Sequence, residues 1–419
     1  MTSRERRTQA KLTAALAHQE AGRLDEAERL FRQILAVYPD HQRALDYLGG
    51  LLVPQYRLAE ALPCFLKLLT FVSNSWVHEN LSFIYDRLRQ PKKALEHIRQ
   101  SAVLHPHPFM GRMSLARTLL INGDLAEGFG EMAACFNNGH PFPRLPNQLR
   151  GETVVIDFHQ VGFGDAIMLA RYMPLIAARG AWVVAYVPEA LRHLFKSVPG
   201  VSEVISKEFW LGPPRLFRVP VLALPATLGT PAIIPDGVCV RGNPVAWRDF
   251  LVSLPGLKVG LCWAGRHGDS EAYNQTDDHR SMRLAGMAPL FSVPGCSFVS
   301  LQLGPPAAQL ADLPPGVVHD VSARLGDWQA TADLVSGLDL VIAVDTAVCH
   351  LAGALGKSIW MLNKAISCWR WLHDRSDTDW YPSMRLFQQA APGDWSDVIA
   401  EAVRELADLS EQTALSAAA

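Results

Sequence analysis

Small and large apolar residues recur at a fixed interval through the first third of the chain, and that interval predicts helices. Small residues stand at Ala27, Ala61, Ala94 and Gly128, and four positions after each comes Phe31, Phe65, Ile98 or Met132. A spacing of four puts both residues on one helix face. Each pair sits in a segment of one pattern: G-R-L-D-E-A-E-R-L-F from Gly22, R-L-A-E-A-L-P-C-F from Arg57, Q-P-K-K-A-L-E-H-I from Gln90 and G-D-L-A-E-G-F-G-E-M from Gly123. Successive small residues are 34, 33 and 34 positions apart. P-F-P-R-L-P (Pro141 to Pro146) then punctuates the chain as a linker does.

From Gly151 the apolar residues come in short runs separated by helical stretches. E-T-V-V-I-D-F is a strand, H-Q-V-G-F-G-D a loop and A-I-M-L-A-R-Y-M-P-L-I-A-A-R a helix; A-W-V-V-A-Y-V, V-S-E-V-I and V-P-V-L-A-L-P follow as further strands. A second series opens at L-P-G-L-K-V-G-L-C-W-A-G and continues through C-S-F-V-S-L-Q, W-Q-A-T-A-D-L-V-S-G-L and D-L-V-I-A-V-D to S-I-W-M-L, with a last helix expected over 394–409. Such alternation implies parallel sheets with helices on their faces. Two open α/β units in tandem would bind ligands at the carboxyl ends of their strands and in the cleft between them.

The front pattern resembles the tetratricopeptide repeat over roughly residues 8–140: paired antiparallel helices with a small residue at the close contact and a large one filling the gap. One such unit cannot bury its apolar face alone, but stacked units can. Arrays of this kind bind peptides or mediate oligomerisation; a purely structural cap is the other reading.

Composition narrows the class. With 49% hydrophobic and 19% charged residues the chain reads as soluble and globular, and 419 residues suffice for two or three domains. A net charge of −2 makes no electrostatic case for nucleic acid or an anionic membrane. The amino terminus lacks an apolar signal-peptide core, and no apolar run is long enough to span a bilayer. Seven scattered cysteines without C-x-x-C suggest neither a disulfide framework nor a zinc site, so the cytoplasm is the expected location.

Val341 to Leu362 invites a P-loop reading because it holds G-A-L-G-K-S, but the glycine required five residues before Gly356 is Leu351. Val341 to Val344 reads as a buried strand and Thr346 to Leu355 as a helix, with Gly356 at its carboxyl-terminal cap and Ser358 to Leu362 as the next strand. The chemistry therefore belongs at the entrance, Asp345-Thr346-Ala347, where unpaired N–H groups and the helix dipole suit an anion such as a diphosphate. His350, one turn on, shares the face of Thr346. In the first unit Gly162 and Gly164 flank Phe163, and Asp165 opens the helix. Two readings fit Asp165: an N-cap, or a general base facing a substrate hydroxyl. After G-L-C-W-A-G comes a polar loop with Arg266, His267, Asp278, His279, Arg280 and Ser281, in which an arginine and a hydroxyl suit phosphate oxygens. Gln302 either meets a base or ribose, or caps its strand. No Ser-His-Asp or Cys-His order with a nucleophile elbow is visible.

V-D-T-A-V-C-H-L-A-G-A-L-G-K-S-I-W, W-R-W-L (Trp369 to Leu372) and W-Y-P-S-M-R-L-F (Trp380 to Phe387), with G-F-G-D, G-L-C-W-A-G and H-R-S-M in the expected order, resemble bacterial tetratricopeptide-repeat glycosyltransferases. Their catalytic part is similar to the heptosyltransferase family (glycosyltransferase family 9) and more distantly to O-linked N-acetylglucosamine transferase. The resemblance covers essentially the whole chain and implies an α-helical repeat solenoid followed by a GT-B fold of two Rossmann-like domains. The expected limits are 1–145 for the repeats, 146–253 for the acceptor side and 254–419 for the nucleotide-sugar side. It further implies an inverting transfer without a metal or cofactor, from a nucleotide-diphosphate sugar to a protein or glycan acceptor, with a repeat-bound protein partner possible. By motif match Asp165 is the base, and Asp345, Thr346 and Ala347 hold the diphosphate. Arg280 is the foremost cation, with Arg266 and Lys364 behind it. The aspartate expected before W-R-W is Cys368 in this chain.

Overall fold

The structure is a computed structural model that describes residues 2–206, 216–229, 238–265 and 280–418. It forms two compact units, Met1–Pro141 and Phe142–Ala419.

The first unit is a run of helical hairpins: α1 (Ser3–Glu20) with α2 (Leu24–Val37), α3 (Gln42–Leu52) with α4 (Leu58–Leu69), α5 (Ser75–Arg87) with α6 (Pro91–Leu104), and α7 (Pro108–Ile121) with α8 (Leu125–Ala134). The small and large residues of the sequence period lie on the second helix of each hairpin. Ala27, Ala61, Ala94, Phe31 and Phe65 are fully buried, and Ile98 and Met132 nearly so. The small residue is required where the first helix comes close: a Cβ on Gly128 would stand 2.7 Å from Leu120 Cγ.

A second period emerges in the turns. Gly22, Tyr56, Arg89 and Gly123 have φ of 73°, 60°, 57° and 85°. Each follows the end of a first helix, and the next residue's N–H closes a bond five residues back: Arg23 to His18 O, Arg57 to Leu52 O, Gln90 to Tyr85 O and Asp124 to Leu119 O, at 2.8–3.1 Å. This is the Schellman ending, which satisfies the last helical carbonyls and reverses the chain. Two of its left-handed positions are glycine; Tyr56 and Arg89 hold the others at a steric cost that hairpin packing offsets.

The second unit contains two all-parallel sheets. The first comprises β1 (Thr153–Asp157), β2 (Trp182–Tyr186), β3 (Glu203–Ile205) and β4 (Leu216–Pro220), in the order β3-β2-β1-β4. The second comprises β5 (Leu257–Cys262), β6 (Cys296–Ser300), β7 (Val318–Asp320), β8 (Leu340–Val344), β9 (Ile359–Asn363) and β10 (Met384–Gln388), in the order β10-β9-β8-β5-β6-β7. That is the strand order of a doubly wound, Rossmann-type sheet, and its direction reverses between β5 and β8. All of β8 is buried, as a central parallel strand requires. The main helices of this unit are α9 (Phe163–Leu169), α10 (Trp328–Ser336), α11 (Ala347–Ala354) and α12 (Ser396–Ala418).

Three local expectations change. The helix expected over 166–179 is interrupted: α9 ends at Leu169, a tight turn follows, and Met173–Ala178 resumes with Pro174 in its first turn, where a missing N–H costs nothing. Of V-P-V-L-A-L-P only Val219 and Pro220 belong to a strand; the rest is helical, with Pro225 again at a helix start. The last helix is longer than expected, Ser396–Ala418. Among the described residues no helix is long and apolar enough to cross a membrane.

Candidate functional site

The crevice outside the reversal point of the second sheet is where ligands bind in such folds. There β8 ends and Asp345-Thr346 leads into α11. Thr346 is the N-cap, with extended φ −138° and ψ 170°, but its side chain makes no capping bond. Its hydroxyl turns to Cys262 Sγ, 3.7 Å away at the end of β5. The first N–H groups of α11, beginning at Ala347, therefore have no side-chain cap and stand ready for an anion. The far end closes as the sequence indicates: Gly356 has φ 70°, and Lys357 N–H donates to Ala352 O at 2.9 Å.

Arg280 reaches this entrance, its Nη1 donating to Asp345 O at 3.3 Å. Ser281 Oγ accepts from Gly265 N–H at 3.0 Å. Asp345, Thr346, Ala347, Arg280 and Ser281 thus converge on one sheet edge. Gln302 also lies there, but as a strand clamp and not as a ligand group. Its Oε1 accepts from Trp263 N–H at 3.1 Å and Ala264 N–H at 2.9 Å. Its Nε2 donates to Ala264 O and Leu303 O, each at 3.1 Å. Both amide hydrogens are spent on the backbone and the side chain is 4% exposed, so the strand-cap reading holds and the base or ribose role falls. Lys364 follows β9; its carbonyl accepts from Gln388 Nε2 at 2.5 Å, and no bond among the described residues joins it to the Asp345 entrance. Arg266, His267, Asp278 and His279 lie outside the described residues.

The facing wall comes from the first sheet. The loop after β1 delivers α9, whose first turn carries Asp165. Gly162 opens onto free space, whereas Gly164 is pressed against α11: a Cβ there would sit 2.6 Å from His350 Cδ2. His350 is 4% exposed, hydrogen-bonds through Nδ1 to Tyr381 Oη at 3.0 Å and stacks on Trp371 at 5.3 Å between ring centroids. Burial pushes its pKa down to about 4, so it is neutral near pH 7. It serves as a packing and hydrogen-bonding wedge between α9 and α11. Arg171 makes a second link, donating from Nε to Met168 O at 2.8 Å and from Nη1 to Trp380 O at 2.7 Å.

The group that sequence reasoning missed is Arg370. Its Nη2 donates to Asp165 Oδ1 in an ion pair between side chains 17% and 23% exposed. Its Nη1 donates to Cys368 Sγ at 3.6 Å, and its guanidinium carbon lies 4.4 Å from the Trp369 ring centroid. Burial works against its charge, but the nearby carboxylates of Asp165 and Asp345 hold its pKa above the ordinary arginine value. The signal was present as a lone cation in the apolar run W-R-W-L; nothing local says that it faces Asp165.

Comparisons with known proteins support the helical part. A tetratricopeptide-repeat family model matches residues 12–75, and the N-terminal region carries these repeats. Protein FlbA of Caulobacter vibrioides (strain ATCC 19089 / CIP 103742 / CB 15) is 28% identical over 346 residues, covering 72% of this chain and 55% of that protein. The chain thus spans about half the length of that curated relative. Among solved structures, YrrB, described as a TPR protein with an unusual peptide-binding site, is 22% identical and covers 30% of this chain and 66% of its own, with a TM-score of 0.29. MamA from Desulfovibrio magneticus RS-1 is 18% identical and covers 31% and 74%, with a TM-score of 0.30. Scores of this size carry no argument about the rest of the molecule.

Proposed function

We propose that the chain is an inverting glycosyltransferase of GT-B type, independent of a metal ion. It moves a sugar from a nucleotide-diphosphate donor to a protein or glycan acceptor recruited by the repeats. The observation that carries this reading is the facing of Asp165, on the first turn of α9, and the uncapped amino end of α11 with Arg280 beside it. In this mechanism the α11 N–H groups and Arg280 stabilise charge building on the diphosphate. Asp165 takes the acceptor hydroxyl's proton as that oxygen attacks the anomeric carbon in line. The carbon–phosphate-oxygen bond breaks, its electron pair leaves with the nucleoside diphosphate, and the anomeric centre inverts.

A second reading has one observation in its favour. Asp165 is held in an ion pair with Arg370, as it would be in a catalytically silent scaffold that binds a protein partner. Incubating the full chain with uridine, guanosine, adenosine and cytidine diphosphate sugars separates the two. Release of one nucleoside diphosphate, lost in Asp165→Ala while donor binding persists, is the expected result. Full turnover in Asp165→Ala removes that residue from the mechanism; no binding of any nucleotide by the wild type favours the scaffold.

A further inference from the structure

We infer that Arg370 is a counter-ion held in turn by Asp165 and by the donor diphosphate, so that donor binding frees the base; the inference rests on the glycosyl-transfer reading above. A guanidinium has five N–H donors. Here Nη2 binds the Asp165 carboxylate and, among the described residues, Nη1 donates to the neutral sulfur of Cys368. Nε is buried with no partner among the described residues. The cation is therefore under-used, and one carboxylate is its principal anchor.

Its position brings it to the donor entrance. Trp371, the next residue, stacks on His350 in the second turn of α11. Asp345, at the mouth of the same helix, acts electrostatically on the Arg370 guanidinium. An anion seated on the amino end of α11 lies in the field of Arg370 as well as Arg280.

The chemistry favours an exchange. With Oδ1 held by the guanidinium, only Oδ2 of Asp165 is left for the acceptor's proton, and that proton must arrive beside a cation that repels it. A diphosphate carries more charge than a carboxylate and can present paired oxygens in the plane of the guanidinium fork, so it competes for the same cation. The site is partly shielded from water, which makes that competition strong. When the diphosphate takes Arg370, both Asp165 oxygens are open to the acceptor and the cation that opposes its proton is gone. The proton then passes from acceptor hydroxyl to Asp165 as the glycosidic bond forms, and the leaving diphosphate keeps the electron pair and the arginine. Order follows: donor first, acceptor second. Arg370 positions Asp165 before donor binding and contacts the donor afterwards.

Calorimetric titration of the full chain with ADP, UDP, GDP and CDP tests this, using wild type, Asp165→Asn, Arg370→Gln, Arg370→Lys and the Asp165→Asn/Arg370→Gln double variant. Asp165→Asn removes the competitor and should bind the wild-type nucleotide about tenfold tighter. Arg370→Gln should bind it about tenfold more weakly, Arg370→Lys in between, and the double variant like Arg370→Gln, since nothing remains to compete for. Wild-type binding with Asp165→Asn unchanged or weaker overturns the exchange and leaves the glycosyl-transfer reading standing. Unchanged affinity in Arg370→Gln does the same. Absence of nucleotide binding throughout sinks both. If Arg370→Gln does not fold, judged by circular dichroism, Asp165→Asn decides alone.

Discussion

Gly128 in the helical array and Gly164 in the α/β unit are glycines for the same reason: another side chain occupies the place of a Cβ. At Gly128 the neighbour is Leu120, on the preceding helix of the same hairpin, 2.7 Å from that place; at Gly164 it is His350, 2.6 Å away, from the other sheet's half of the unit. The ion pairs repeat the contrast. Arg32–Glu60 and Arg99–Glu127 each join residues 28 apart, about one repeat. Asp165–Arg370 spans 205 residues and the Arg171–Trp380 bond 209. Array contacts are therefore near-neighbour terms that add along the chain. In the α/β unit one contact ties the first sheet's loop to the far end of the second sheet's chain. A substitution there should disturb stability and the site together.

The largest test of this contrast is Asp165→Ala. On the proposed mechanism it should lower transfer by about a thousandfold, measured as nucleoside diphosphate release, and because Arg370 loses its carboxylate it should also lower the melting of the α/β unit, while calorimetry of the array is unchanged. Acid comes next. The folded pKa of His350 lies near 4 because burial disfavours the imidazolium, with Arg370 adding to the effect and Asp345 and Asp165 opposing it. The unfolded chain binds this proton near pH 6.5, so stability is full above that and falls by about 3 kcal/mol as pH drops toward 4. NMR of the His350 ring should show no titration between about pH 5 and 8; a midpoint near 6.5 would sink the wedge role.

Gly164→Ala should cost about 2 kcal/mol of α/β-unit stability through overpacking. It should lower transfer as well, because Asp165 is the next residue. If it alters melting without touching transfer, α9 does not set the site. Gly123→Ala forces a side chain into a left-handed turn with free space around it. Urea unfolding should register about 1 kcal/mol, confined to the array; a matching change in nucleotide binding would contradict the near-neighbour picture. Smallest is Gly162→Ala. With φ −68° and nothing within 4 Å of the new Cβ, only a few tenths of a kcal/mol are expected at an N-cap, and turnover should stay at wild-type level.

Legibility followed the same division. The helical period could be read because the residues that meet, such as Ala27 with its hairpin partner or Phe65 with Gly49, are close in sequence and recur. The Asp345-Thr346 entrance could be read because strand, helix and Gly356 turn follow one another directly. Gln302 was ambiguous because a buried amide after a strand looks the same whether it binds a ligand or, as here, the backbone that follows β5. Arg370 was hidden in a motif already quoted for its tryptophans, since the carboxylate it hydrogen-bonds among the described residues lies two hundred residues earlier.

Whatever depends on neighbours along the chain was set by sequence alone: four helical hairpins, parallel strands alternating with helices, and the strand-to-helix junction at Asp345-Thr346. Tertiary structure decided which groups share that space. It spent Gln302 on the backbone, turned His350 into a neutral wedge and gave Asp165 a guanidinium partner. Hydrophobic period and turn chemistry are local properties of a chain, whereas the pairing of buried charges is settled only when distant segments compete for the same low-dielectric volume.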